Sequence, residues 1–453
     1  MHKAFIAAAA TPAKVHLLRP ADWEEAAKSL PEAVAGLAKA NGFAGKAGEV
    51  VVSGGAGGAR DHVLYGLGDA MDALAVAGLS AKLPEGDYEI AVDGGLPLAH
   101  IAAGWADGAY RFDRYLKDKA APPRLVIGDN EDAAALDREA EAVALLRDLV
   151  NTPAQDMGPS AIEAAVRAIA KDFGADITVT TGDDLLEQNY PMIHAVGRAA
   201  PEAPRLIELA WGNPDHPELA LVGKGVAFDT GGLNLKTGNY MRLMKKDMGG
   251  SAHVIALARL VMSSNLPVRL KLYVPAVENA IDSHAFRPGD VLSTRKGLTV
   301  EIDNTDAEGR LILGDALTKA CESDPDLLID FATLTGAARV ALGPDLAPFY
   351  TDDGDVADAI NAAGAVSGDP VWRMPLWDPY KSMLKSSIAD MQNAGGAFAG
   401  SITAAIFLKQ FVEARRWVHL DVWAWRLGKY GRPEGAAACG LRAIWTMLRT
   451  RYA

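Results

Sequence analysis

Cysteine is nearly missing from this 453-residue chain, which has only Cys321 and Cys439. So far apart, they form neither a disulfide framework nor a CxxC metal site, and they lead us to expect buried free thiols in a reducing, cytoplasmic setting. Long apolar runs are missing too, and none approaches the roughly 20 residues that span a bilayer. The opening Met1-His2-Lys3-Ala4-Phe5-Ile6 and its four alanines break at Thr11-Pro12, too early for a signal peptide. Positive charge is scarce: 45 Lys and Arg face 58 Asp and Glu, a net of −13. The chain as a whole therefore repels a nucleic-acid backbone and an anionic membrane, and neither is expected as a partner. There is no fixed-period repeat, no HExxH among the nine histidines, no GxSxG elbow and no Walker A loop. The solenoid reading drops out, and zincin, serine-hydrolase and P-loop chemistries are less well supported.

What remains is an ordinary globular composition, 49% hydrophobic, with core enough for two domains. The first third alternates Ala-rich stretches with short β-prone runs such as Glu49 to Val52 and Leu125 to Ile127, predicting a small α/β domain over 1–131. Gly54 to Gly58 reads as a plain turn, because it lacks the spacing of a dinucleotide fingerprint. Residues 132–150 form a linker helix with Leu136, Ala140, Ala144 and Leu145 on one face, ending at Asn151-Thr152-Pro153. Over 151–453 the strand candidates Leu206 to Ala210, Leu219 to Val222, Leu270 to Val274 and Leu327 to Phe331 alternate with helices at Ser160 to Phe173, Ser251 to Met262 and Arg310 to Cys321. The fold expected is α/β, a smaller N-terminal domain followed by a larger one whose central mixed, largely parallel sheet is flanked by helices. Functional residues then gather beyond the carboxyl ends of the strands.

Three polar clusters stand at such ends. Gly223-Lys224-Gly225 and Phe228-Asp229-Thr230-Gly231-Gly232 frame one strand. Lys245-Lys246-Asp247-Met248-Gly249-Gly250 precedes an apolar helix, where Asp247 could be no more than a cap. In Asn304-Thr305-Asp306-Ala307-Glu308-Gly309-Arg310-Leu311 the alternating Asp306, Glu308 and Arg310 would point to one side of an extended stretch. Four carboxylates converging on one cavity call for a multivalent counterion, and carboxylates can bridge two ions that activate a shared water. Lys224 can join such a site only as a neutral amine. Taken singly, each residue has a plain alternative as a cap or a solvated charge, and His253 and His419 read as packed structural histidines.

At these residues the sequence resembles the cytosolic leucine aminopeptidase family, whose hallmark octapeptide stands intact at 304 to 311. The Gly-Lys-Gly, Phe-Asp-Thr-Gly-Gly, Lys-Asp-Met-Gly-Gly and Ala332-Thr333-Leu334-Thr335-Gly336-Ala337 strings match in order and spacing, over roughly residues 150 to 450. The resemblance implies a metal-dependent aminopeptidase that hydrolyses the N-terminal bond of peptides with a free α-amine through a bridging hydroxide on two divalent ions, zinc or manganese. It implies that Asp229, Asp306 (also through its carbonyl) and Glu308 hold one ion, and that Lys224, Asp229, Asp247 and Glu308 hold the other. Lys236 and Arg310 take the catalytic positions, Arg310 with a bicarbonate. Met244, Thr333, Leu334 and Gly336 receive the substrate's first side chain. Trp423 departs from the family pattern at that pocket; it either fills the pocket or turns into the core. A cytoplasmic homohexamer acting on peptides is the implied setting. A non-catalytic scaffold or regulatory member of the fold, and a different dinuclear hydrolase such as a phosphoesterase, are the rival readings.

Overall fold

The computed structural model describes residues 1–55, 60–69, 72–428 and 434–453; most of the glycine turn at 54–58 lies outside them. The chain divides into two compact units, Met1–Ala144 with Leu427–Gly435, and Leu145–Arg426 with Ala436–Ala453. The helix Glu131–Asn151 runs across that division in sequence. Its buried residues include Ala133, Ala140, Val143, Leu146 and Val150, so the covered stripe is offset from the predicted one and shares only Ala140 with it. In so alanine-rich a helix the hydrophobic contrast between faces is weak, and tertiary packing sets the rotation.

The N-terminal unit carries six strands, β1 (Phe5–Ile6), β2 (Ala13–Leu18), β3 (Val50–Gly54), β4 (Arg60–Gly66), β5 (Gly86–Val92) and β6 (Pro123–Val126), in the order β1-β6-β5-β2-β4-β3. All pairs are parallel except β3 with β4. Alternate residues Val15, Leu17, Val63 and Tyr65 enter a core shared with Ile101 and Trp105 of the helix Leu98–Ala109. The indole Nε1 of Trp105 donates to the Pro123 carbonyl at 3.1 Å, satisfying its one buried donor.

The second unit is built on a nine-stranded sheet. Its strands are β7 (Asp176–Thr181), β8 (Arg205–Trp211), β9 (Glu218–Gly223), β10 (Gly225–Asp229), β11 (Arg269–Asn279), β14 (Leu327–Ala332), β15 (Ala347–Tyr350), β16 (Val371–Arg373) and β18 (Trp417–Asp421). Outside it lie β12 (Val291–Ser293), β13 (Thr299–Glu301) and β17 (Met391–Gln392), which form a small sheet of their own. In the large sheet β10, β11, β9, β14 and β18 run parallel; β8 and the β15–β16 edge run against them, and β7, antiparallel to β8, runs with them. Leu219 to Val222 and Leu327 to Ile329 are wholly buried, as strands covered on both faces must be. The helices Gly249–Ser263 and Gly309–Cys321 supply that cover. A charge in the middle of β14 is compatible with this because Asp330 is fully paired: His419 Nδ1 lies 2.6 Å from it and Trp417 Nε1 donates at 2.7 Å. His253 is equally enclosed, its Nδ1 2.6 Å from the Gly249 carbonyl and its Nε2 accepting from Cys439 N at 3.1 Å. Among the described residues no helix is long and apolar enough to cross a membrane.

Candidate metal centre

The parallel strands end together, and the chemistry sits at and just beyond their carboxyl ends. Lys224 comes directly after β9, Asp229 closes β10, Thr333 follows β14 and Trp423 lies two residues beyond β18. After Asp229 the backbone turns back through Gly231 (φ +87°) and Gly232 (φ +61°), values that favour glycine. Thr305 ties this turn to the acidic loop: its Oγ1 donates to the Gly231 carbonyl at 2.6 Å and accepts from Asn234 N at 2.8 Å. Asn279, at the end of β11, donates to Asp229 Oδ1 at 2.8 Å and to the Thr305 carbonyl at 3.1 Å. Asn393 holds the other side of the loop, accepting from Asp303 N and Asn304 N.

Asp229, Asp306 and Glu308 each offer a carboxylate oxygen, all within 4.8 Å of one another. Asp247 joins through Lys224, whose ammonium lies 2.6 Å from Asp247 Oδ2 and 2.9 Å from Glu308 Oε1 and donates to the Thr333 carbonyl at 3.1 Å. Lys236 reaches Asp229 Oδ2 at 2.7 Å and also pairs with Asp306. The predicted convergence therefore exists, but its cause differs. Residues 304–308 are a turn rather than an extended stretch, and Glu308 is already helical (φ −74°, ψ −35°) as it caps the helix Gly309–Cys321. Arg310, in the first turn of that helix, is directed to the Asn393 carbonyl at 2.6 Å and lies 5.9 Å from the Phe407 ring, off the wall of the main cavity.

Crowding four acids in a dry site distorts their titration. Burial, reinforced by Asp247, pushes Asp229 up to about 6; burial and Asp229 push Glu308 up to about 7. Asp306 is raised chiefly by burial. Burial would raise Asp247 as well, but Lys224 beside it holds its carboxyl below the ordinary range. Burial disfavours the Lys224 and Lys236 ammoniums, yet the surrounding carboxylates outweigh it and raise both. Arg310 is lowered to about 10 by burial.

A cavity of about 400 Å³ opens beside this cluster, walled by Lys236, Met244, Lys246, Thr333, Leu334 and Trp423 among others, with Gly336 at its edge. Trp423 thus faces the cavity, while Trp425 is the indole that turns inward. Ala424, between them, takes a left-handed φ of +56°, which reverses the side-chain direction along Trp423-Ala424-Trp425. Three contributors escaped the sequence reading: Asn279 and Asn393, which orient the acidic loops, and Lys246, a wall residue that burial pushes down to about 8. A lone asparagine ending an apolar strand was the only signal for Asn279, and Lys246 stood out only as the first residue of the Lys-Asp-Met-Gly-Gly string.

Glu308 Oε1 and Asp247 Oδ2 are buried and accept no hydrogen bond among the described residues, although the Lys224 ammonium lies beside both. Hard oxygen donors left in this condition fit a divalent cation. The chain as a whole matches two family models: "Cytosol aminopeptidase family, catalytic domain" over residues 144–445, and "M17 aminopeptidase, N-terminal domain" over 14–128. The second extends the likeness beyond the 150–450 marked by the motifs. A relative from Roseiflexus castenholzii, named "Probable cytosol aminopeptidase", is 36% identical over 94% of each chain. One of the same name from Syntrophotalea carbinolica is 41% identical over 78% of this chain and 76% of its own. Among solved structures, cytosol aminopeptidase from Coxiella burnetii superposes with a TM-score of 0.93 at 42% identity, covering 98% of both chains. The bottromycin maturation enzyme BotP in complex with Mn gives 0.87 at 33%, over 98% of this chain and all of its own.

Proposed function

The chain belongs to the cytosol aminopeptidase family and is a metal-dependent aminopeptidase, and from that premise we propose how its own residues divide the work. Asp229, Asp306 and Glu308 hold one divalent ion; Lys224, Asp229, Asp247 and Glu308 hold a second. The observation that carries this is the three-carboxylate cluster within 4.8 Å, with Asp247 joined to it through Lys224. When bound, the ions polarise the scissile carbonyl and lower the pKa of water. Lys224 must surrender its proton to act as a ligand, so loading the site releases protons and strengthens with rising pH.

The side chains do the rest. Lys236, on the cavity wall, presents its ammonium to the carbonyl oxygen as negative charge develops there. Arg310 is the proposed holder of a bicarbonate, a role supported by its burial and by an Nε with no hydrogen-bond partner among the described residues. Met244, Thr333, Leu334, Gly336 and Trp423 receive the first side chain, fixing the peptide so that only a free α-amine registers with the metal centre. Manganese or zinc suits the donor set, and BotP, at 33% identity, was solved with Mn. By family likeness we propose a homohexamer in the cytoplasm, which mass photometry of the purified protein tests. The functional test is amino-acid release from free and N-acetylated dipeptides with Mn and after chelation. Cleavage of the free peptides alone, lost on chelation, is expected; cleavage of the acetylated ones overturns the amine register.

A further inference from the structure

The cavity wall carries two cations with little anionic company. Lys246 is 3% exposed, and its ammonium makes no hydrogen bond among the described residues. Its nearest acid oxygen, Asp247 Oδ1, is 3.7 Å away and already accepts from Thr333 Oγ1, while Lys224 occupies Asp247 Oδ2. Arg339 also lines the cavity and forms no ion pair among the described residues. Both cations instead lie against one indole: Lys246 Nζ and Arg339 Cζ are each 4.2 Å from the centre of the Trp423 ring. An aromatic face attracts a cation, but it replaces neither the hydrogen bonds nor the counter-charge that a buried ammonium loses on leaving water.

We propose that this pocket selects peptides whose N-terminal residue is glutamate or aspartate, with Lys246 and Arg339 receiving the side-chain carboxylate beside Trp423. The inference rests on the reading above that the pocket takes the substrate's first side chain. Distance favours the first residue over the peptide's C-terminal carboxylate. Lys246 lies 3.7 Å from Asp247, a proposed metal ligand, so it borders the place where the α-amine is held. Each further residue adds about 3.8 Å of chain between that amine and a carboxylate. Glutamine has the same shape as glutamate without the charge and isolates the electrostatic contribution. Lysine at the first position meets like charge and is disfavoured.

The test uses the full-length, manganese-loaded protein and compares kcat/KM for glutamyl-, glutaminyl- and leucyl-alanine amides, with leucyl-alanine free acid as the arm for a C-terminal carboxylate. Glutamyl over glutaminyl by about tenfold or more is expected, with leucyl-alanine acid and amide nearly equal. Lys246→Met should bring the glutamyl preference to about one, and Arg339→Gln should cut it about threefold or more. L-glutamate should raise the melting temperature more than L-glutamine does, a readout that needs no turnover. Should Lys246→Met fail to fold, Arg339→Gln, at a partly buried position, keeps the comparison alive. A glutamyl-to-glutaminyl ratio near one in the unaltered protein, with leucyl-alanine amide cleaved, overturns the selectivity alone. A preference for leucyl-alanine acid over its amide reassigns the cations to the far carboxylate and overturns it as well. Leucyl-alanine amide left intact overturns the site reading and this inference together.

Discussion

Gly309 stands where a side chain would strike the metal centre's lysine. A Cβ built there lies 2.3 Å from Lys224 Cε and 2.7 Å from Cδ and Nζ. Carbon atoms rest at about 3.5 to 4 Å, so Gly309→Ala obliges the lysine to retreat by more than ~1 Å. Lys224 is only 3% exposed, and the cavity it lines is the open space into which it would have to shift. Its ion-pair contacts of 2.6 Å to Asp247 and 2.9 Å to Glu308 then lengthen, as does its 3.1 Å hydrogen bond to the Thr333 carbonyl. Overpacking costs about 1–3 kcal/mol, and a weakened hydrogen bond to a charged group costs about 1.5–3 kcal/mol. Alanine's better helix propensity returns at most ~1 kcal/mol, leaving a net loss of about 3 kcal/mol. At about 2 °C per kcal/mol for a unit of this size, the melting temperature should fall by about 6 °C. If the loss appears instead as poorer ligation, manganese affinity should drop about a hundredfold, since 1.4 kcal/mol is about tenfold. Differential scanning fluorimetry with a manganese titration reads both. Gly336→Ala is the control, because a Cβ there meets nothing within 4 Å. A Gly309→Ala protein that melts and binds manganese like its parent would falsify the claim that this glycine makes room for Lys224.

Other perturbations separate the parts of the site. Glu308→Ala should abolish both manganese binding by elemental analysis and turnover, whereas Lys236→Ala should retain metal and lower kcat by about 10²- to 10³-fold; equal metal loss in both would place Lys236 among the ligands. Asp421 accepts from Leu334 N at 3.0 Å, Thr335 N at 3.1 Å and Thr335 Oγ1 at 2.7 Å, so Asp421→Ala should free the cavity loop and raise KM about tenfold with metal content unchanged; an unaltered KM counts against that anchoring. His253 is held neutral by burial, its pKa lowered from 6.5 to about 4. The unfolded chain therefore binds more protons between those values, and the stability present above pH 6.5, about 3 kcal/mol from this group, is lost as pH falls towards 4. Urea melts of His253→Gln and its parent from pH 7 to 4 should show a shallower slope in the variant, and parallel slopes would refute the assignment.

The parts of the fold that could be read in the sequence are those whose burial leaves no ambiguity. Leu219 to Val222 is a solid apolar run and Leu327 to Phe331 is one interrupted only by Asp330, and they became the two adjacent central strands β9 and β14. The helix beginning at Gly309 announced itself through Leu311, Leu313 and Leu317. A two-residue piece such as β17 could not be foreseen, because it is a strand only by virtue of the neighbour that pairs with it. Asp330 would read as a defect in an apolar strand until His419 and Trp417, nearly 90 positions later, are seen bonded to it.

At the site, chemistry was legible and direction was not. Alternation at Asp306, Glu308 and Arg310 suggested a pleated stretch with three side chains on one face. The turn and helix start found there bring two carboxylates together and carry the guanidinium to Asn393 instead. Lys245 and Lys246 are neighbours of one type, indistinguishable by composition. The 3₁₀ segment Gly238–Met248 separates them, sending the Lys245 ammonium to the Asn151 carbonyl at 2.6 Å and the Lys246 ammonium to the cavity. With about three residues per turn, Met244 and Asp247 share a face of that segment and Lys246 stands one step off it. The residue beside a proposed metal ligand is thereby turned to the cavity rather than to solvent. Under the proposed selectivity, a charge at that position acts on the side chain held against it, so binding and ligation meet in two adjacent residues, Lys246 and Asp247.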